Sequence, residues 1–272
     1  MLSESTVAGI GAPLGKVTRV ATIQLEGPRN DEARNVELLL ELNHEGASYT
    51  NRWNFWTFPR RALLQSSEID VVSTVKWAGL ARLYPFIRQE REPSPTGLLV
   101  TSVLNAQAVQ FLESGGRVFL VADKNLFERQ GDETFFPAPG GAVGTLIADH
   151  AAFRGFPQEG FCDLQFYNLL EGAYSYSLDD YPHEMVPMIG GIRTTTGFLS
   201  TAKNLSRVGY VFETKVGRGK LLVSTLRIRE NFDEAYPEAI SLFDRLLRYA
   251  VGPDFDPRVE ISQEQLRRMA VE

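Results

Sequence analysis

The stretch YTNRWNFWTFP, Tyr49 to Pro59, sets two tryptophans and three other aromatic rings within eleven residues. Rings and β-formers at this density read as a strand. Alternation puts Tyr49, Asn51, Trp53, Phe55 and Thr57 on one face and Thr50, Arg52, Asn54, Trp56 and Phe58 on the other. Large side chains on both faces suit a sandwich edge or a seam between units better than a half-wet surface hairpin. The strand ends at Pro59-Arg60-Arg61, and the pattern of the chain changes there.

Three strand signals precede that point: KVTRVATIQLEG, ARNVELLLELNHEG and the aromatic strand itself. In the second, Val36, Leu38, Leu40 and Leu42 alternate with Glu37, Leu39, Glu41 and Asn43. Gly46 and the cluster Gly27 to Asp31 supply turns. Residues 1–60 therefore read as a small all-β unit, too thin to close a core alone.

From Ile69 the text alternates strand and helix. IDVVSTVKWAG, LLVTSVL and RVFLVAD read as strands, separated by the helices GLARLYPFIRQE and NAQAVQFLESGG, the latter with Asn105 as N-cap and Gly115-Gly116 as its stop. MVPMIGGI, SRVGYVFETKVG and GKLLVSTLRI follow as strands, the last two joined by a hairpin around Gly217-Arg218-Gly219. PEAISLFDRLLRYAVG closes the series as an amphipathic helix. Such a series predicts an α/β fold: a Rossmann-like parallel-sheet domain over 61–252, preceded by the small all-β unit and followed by a polar tail, 253–272, forming a short helix or an arm.

A formal net charge of −6, with no block of lysine or arginine, argues against nucleic acid or an anionic membrane as partner. One cysteine, Cys162, excludes an internal disulfide, and His44, His150 and His183 lack zinc-ligand spacing. No metal or cofactor is expected. No apolar run reaches the ~18 residues a membrane span needs, and the N-terminus lacks a charged segment followed by a long apolar one. The chain reads as soluble; its compartment stays open, periplasmic or secreted if a signal lies upstream.

YTNRWNFWTFP is similar to the N-x-W-x-F-W-x-[YF]-P strand that follows the catalytic barrel in many bacterial glycoside hydrolase family 2 proteins, including β-galactosidase-like chains. HAAFRGFPQEGFCDLQFYNLL, then MVPMIGGI and RVGYVFETKVGRGKLLVSTLRI, resemble the class I glutamine-amidotransferase-like module beyond that strand. Together the two resemblances cover about Lys16 to Gly252. They imply a non-catalytic accessory region of a glycoside hydrolase, orienting or stabilising a catalytic module. The catalytic barrel itself has no room here, since it takes ~250 residues.

An active amidotransferase needs a cysteine on a strand-to-helix elbow with a histidine beside it, yet Asp123-Lys124-Asn125-Leu126 follow the strand ending at Ala122. Cys162 reads as a structural thiol. Asp123, Asp132, Glu133, Asp149, Asp163, Asp179, Asp180 and Glu184 sit in no recognisable paired-carboxylate motif. Asp149 reads as a helix cap before His150. Pro139 to Gly144 and Val216 to Lys220 read as a flexible loop and a hairpin turn, not phosphate cradles. The polar, aromatic stretch Tyr174 to Tyr181 is the best carbohydrate candidate, with Tyr174, Tyr176, Tyr181 and Asp179 as its contacts. The expected partners are a glycosidase catalytic module or a polysaccharide, with self-association left open. Two alternatives remain: an independent carbohydrate-binding module, and a small hydrolase using Asp149 with His150, or Cys162.

Overall fold

The structure, a computed structural model, describes residues 4–11, 13, 15–24, 27, 31–59, 63–89, 91–122, 135–137, 144–194 and 205–270. The chain divides into two compact units, Met1–Pro59 and Arg60–Glu272.

The first unit is one long hairpin. Strands β1 (Arg34–His44) and β2 (Ala47–Thr57) pair antiparallel over their full length. Glu45 and Gly46 form the connection with φ of 48° and 83°, the doubly left-handed turn whose twist matches two right-twisted strands. Register places Val36, Leu38, Leu40 and Leu42 opposite Phe55, Trp53, Asn51 and Tyr49, so these eight share a face. Glu37, Glu41 and Arg52 lie on the other, Arg52 within 3.6 Å of Glu37. The expected first strand, KVTRVATIQLEG, is not one: residues 17–24 have no strand partner. Within this unit Trp56 is half-buried and Trp53 exposed.

The second unit is built on a ten-stranded mixed sheet. Strands β3 (Val71–Ser73), β4 (Arg88–Gln89), β5 (Leu98–Thr101), β6 (Arg117–Val121) and β12 (Gly219–Ser224) form its parallel part, in spatial order β4-β3-β5-β6-β12. Numbered by chain order, these five lie 2-1-3-4-5. The other part is antiparallel: β11 (Leu205–Val216) against β12, then β10 (Ile189–Thr194) and β8 (Leu146–Ile147), with β9 (Tyr174–Ser177) pairing both β11 and β7 (Phe135–Pro137). The expected parallel sheet is therefore only half parallel, because hairpin connections return the chain antiparallel where no crossover helix intervenes.

Helices cover both faces. Helix α1 (Leu80–Leu83) is a single turn, shorter than the expected helix through Glu90, because Ile87 closes a turn on Tyr84 and the chain enters β4. Helix α2 (Ala106–Glu113) starts as expected, with Asn105 Oδ1 accepting from Ala108 N at 2.9 Å. After the short α3 (Tyr167–Leu170) comes α4 (Pro237–Val251), with proline in its first turn. Arg117 donates to the Ala250, Val251 and Gly252 carbonyls at its end, at 3.0–3.2 Å. Phe243 of α4 stacks on Phe119 of β6 with centroids 5.7 Å apart and meets Trp77, Tyr84 and Phe232 at 5.2–5.5 Å. The opposite face buries Leu99, Val118, Leu120, Leu221 and Val223 with Ala108 and Leu112 of α2.

Residues after Gly252 belong to this core. Lys215 N donates to Val259 O at 2.7 Å and Ile261 N to Lys215 O at 3.0 Å, extending the sheet beside β11. Helix α5 (Gln263–Met269) opens with a capping box between Ser262 and Gln265 and buries Leu266 and Met269.

Candidate functional site

In an open α/β sheet the natural place for chemistry is the carboxyl edge of the parallel strands. Here that edge carries hydroxyls. Thr74 Oγ1 donates to Thr101 Oγ1 at 2.9 Å, which donates to Val103 O at 2.9 Å. Ser73 Oγ accepts from Val75 N at 3.1 Å, and Thr225 Oγ1 donates to Tyr210 O at 3.3 Å. Ser73, Thr74 and Thr101 are tied into the loops beyond their strands and Thr225 onto β11, and Ser224 is fully buried. The candidate elbow at Asp123 to Leu126 lies outside the described residues, as do Asp132, Glu133 and 139–143 of the glycine loop.

Cys162 lies beyond the antiparallel part. Its N–H donates to Thr145 O at 2.9 Å, and the side chain is buried. Burial, and then the neighbouring Asp163, raise its thiol well above the usual range, so it does not supply a thiolate at neutral pH.

Polar groups also converge on His150, which with Asp149, Arg154 and Gln158 among others lines a cleft of about 380 Å³. The expected cap, Asp149, is exposed, and His150 takes the role: its Nδ1 accepts from Ala152 N at 3.2 Å. That bond assigns the imidazole proton to Nε2, which faces Glu213 Oε1 at 3.8 Å. The other Glu213 oxygen accepts from Tyr249 OH at 2.7 Å, and the Tyr249 ring meets His150 edge-on, centroids 5.1 Å apart. Burial, and then that hydrogen bond, push the Tyr249 phenol above its ordinary value. The arrangement can hold or pass a proton, but the cleft lining holds no serine, threonine or cysteine. Glu213 and Tyr249 were missed from sequence; the available signal was a carboxylate in mid-strand between the buried Phe212 and Thr214.

The carbohydrate candidates are dispersed. Tyr176 and Tyr181 are only 2% and 5% exposed, their hydroxyls 2.5 Å apart, with Tyr181 donating to Gln265 O at 3.2 Å. Burial raises both phenols, that of Tyr181 to about 12. They fasten α5 to the sheet and present no ring face to a sugar. Tyr174 is half-buried in β9, and the expected loop is a strand there. Asp179 is exposed but accepts from Arg207 N at 2.9 Å. Of the remaining carboxylates, Asp163 caps a turn at Gln165 N and Asp180 pairs with Arg268 at 3.3 Å. Among the described residues no group of three or more histidine, cysteine or acidic side chains is placed to hold a metal, and no helix is long and apolar enough to cross a membrane.

Fold and site together define an α/β protein with a mixed sheet and a separate β-hairpin unit. Within that class, the profile of the family described as Domain of unknown function (DUF8487) matches residues 99–271, more than half the chain, and the chain belongs to that family. A second profile, Domain of unknown function (DUF8488), matches residues 1–59 and ends where the first compact unit ends. No curated protein matches the chain.

Proposed function

We propose that this chain is a non-catalytic accessory region of a glycoside hydrolase, whose second unit is an amidotransferase-like, Rossmann-like domain serving to orient or stabilise a catalytic module. The observation that carries the reading is the carboxyl edge of the parallel strands. The order 2-1-3-4-5 is that of a doubly wound nucleotide-binding-type sheet, yet the described hydroxyls at that edge are tied into loops or buried, and the one thiol is buried elsewhere. The resemblance of YTNRWNFWTFP to the post-barrel strand of family 2 glycosidases supplies the parent class. The test is turnover: the whole chain is incubated with glutamine and with aryl glycosides, and no rate above background is expected. A rate abolished by Cys162→Ala, or by Glu213→Gln beside His150, overturns the reading.

A second reading, an independent carbohydrate-binding module, is favoured by one observation: Tyr49, Trp53 and Phe55 form an exposed aromatic row along β2. Titration with oligosaccharides, followed by tryptophan fluorescence, tests it.

A further inference from the structure

We infer that His150 is a pH-sensitive latch: the neutral imidazole holds the turn that walls its cleft, and protonation releases that turn. This goes beyond the accessory reading and does not depend on it. Imidazole is the side chain whose charge ordinarily changes between about pH 5 and 8. Its two nitrogens do different work here. Nδ1 accepts from Ala152 N at 3.2 Å and so caps the turn Ala151–Phe153, while Nε2 faces Glu213 Oε1 at 3.8 Å. With one proton already on Nε2, a second can enter only at the lone pair of Nδ1. That is the lone pair on which the cap depends.

Protonation therefore exchanges one contact for another. The imidazolium carries a hydrogen on Nδ1, so donor meets donor at Ala152 N and the cap is lost. Its charge at the same time faces the Glu213 carboxylate, a side chain only 16% exposed and so poorly screened by water. The neutral ring is held by its own turn, and the charged ring is drawn to β11. The surrounding groups bias that choice. From α4 come Tyr249, whose hydroxyl donates to the second Glu213 oxygen at 2.7 Å, and Arg245, whose guanidinium lies against Gly155. From the turn and the segment after it come Asp149 and Arg154, the latter 3.4 Å from Asp254. Among these, Glu213 is the carboxylate that the ring faces. The turn in question is closed by Phe153 N donating to His150 O at 3.0 Å, and it buries Ala152 and Phe153. Every residue lining the cleft lies between Asp149 and Gln158, so loosening the turn near the start of that segment alters the cleft itself.

The test is nitrogen NMR of the isotope-labelled whole chain between about pH 7.5 and about pH 5, following the His150 ring nitrogens and the hydrogen exchange of the Ala152 amide. At the upper end the ring proton should sit on Nε2. At the lower end both nitrogens should carry one, and the Ala152 amide, corrected for the intrinsic pH dependence of exchange, should lose protection by about fivefold, the usual worth of an N-cap. His150→Asn keeps a capping acceptor without a titrating ring, so its Ala152 amide should hold its protection across the range. Equal protection of the native Ala152 amide at both ends overturns the inference, and so does a neutral ring protonated on Nδ1. The same loss of protection in His150→Asn also overturns it, by assigning the effect to another group. Should His150→Asn fail to fold, the native chain's ring nitrogens and Ala152 amide decide the matter without it.

Discussion

Replacing Asp244 by alanine removes the side chain that ties three segments of the second unit together. This carboxylate sits on α4, almost wholly buried. Its Oδ1 accepts from Leu64 N at 2.7 Å and from Tyr84 OH at 3.3 Å, and its Oδ2 accepts from Arg248 Nε at 2.6 Å. Hydrogen bonds to a charged acceptor are each worth about 1.5–3 kcal/mol, and donors left without a partner in the interior add a desolvation cost. The Tyr84 bond is long and belongs at the bottom of that range. The Arg248 side chain is 36% exposed and regains water, so its ion pair contributes about 1 kcal/mol at most. Asp244→Ala should therefore destabilise by roughly 3–5 kcal/mol, the usual cost of removing one partner of a buried charged network. At about 2–4 °C per kcal/mol for a domain of this size, the melting temperature should fall by roughly 10 °C. Tyr84→Phe alone should cost about 1 kcal/mol, and almost nothing further in the Asp244→Ala background. Urea unfolding followed by near-ultraviolet circular dichroism measures all three variants. A loss under about 1 kcal/mol for Asp244→Ala, or strict additivity of the two changes, would refute the network argument.

Cys162, buried with its thiol pushed up by burial, should react with a disulfide reagent only at the rate of unfolding, and become fully reactive in denaturant; stoichiometric labelling of the native chain within minutes would show the side chain to be accessible. Lys220, and then Lys215, hold the Asp256 carboxyl below the usual range, Lys220 Nζ lying 3.0 Å away. A depressed carboxyl stabilises the folded state above its unfolded value, about 3.9, and that contribution disappears as pH falls through the lowered value. The melting temperatures of the native chain and Asp256→Asn should therefore differ at pH 7 and converge as the pH falls below the ordinary carboxylate range; a gap that persists in strong acid would assign the effect to packing.

What could be read from the sequence was local. Asn105 and Gly115-Gly116 bound α2, Gly217-Arg218 turns β11 into β12, and the alternation of Val36, Leu38, Leu40 and Leu42 marks β1, because caps, turns and period-two patterns depend on residues a few places apart. The buried run Val118 to Val121 likewise identifies a strand covered on both faces. Residues 17–24 show the limit, since strand-like text forms no strand where no described neighbour pairs with it. Tertiary structure decided everything that required a distant partner. The polar text Tyr174 to Ser177 becomes a strand because β11 and β7 flank it, and Tyr176 and Tyr181 are buried there because α5 returns from the end of the chain to receive the Tyr181 hydroxyl. His150, Glu213 and Tyr249 meet across about a hundred residues of sequence, and no short-range pattern could have joined them.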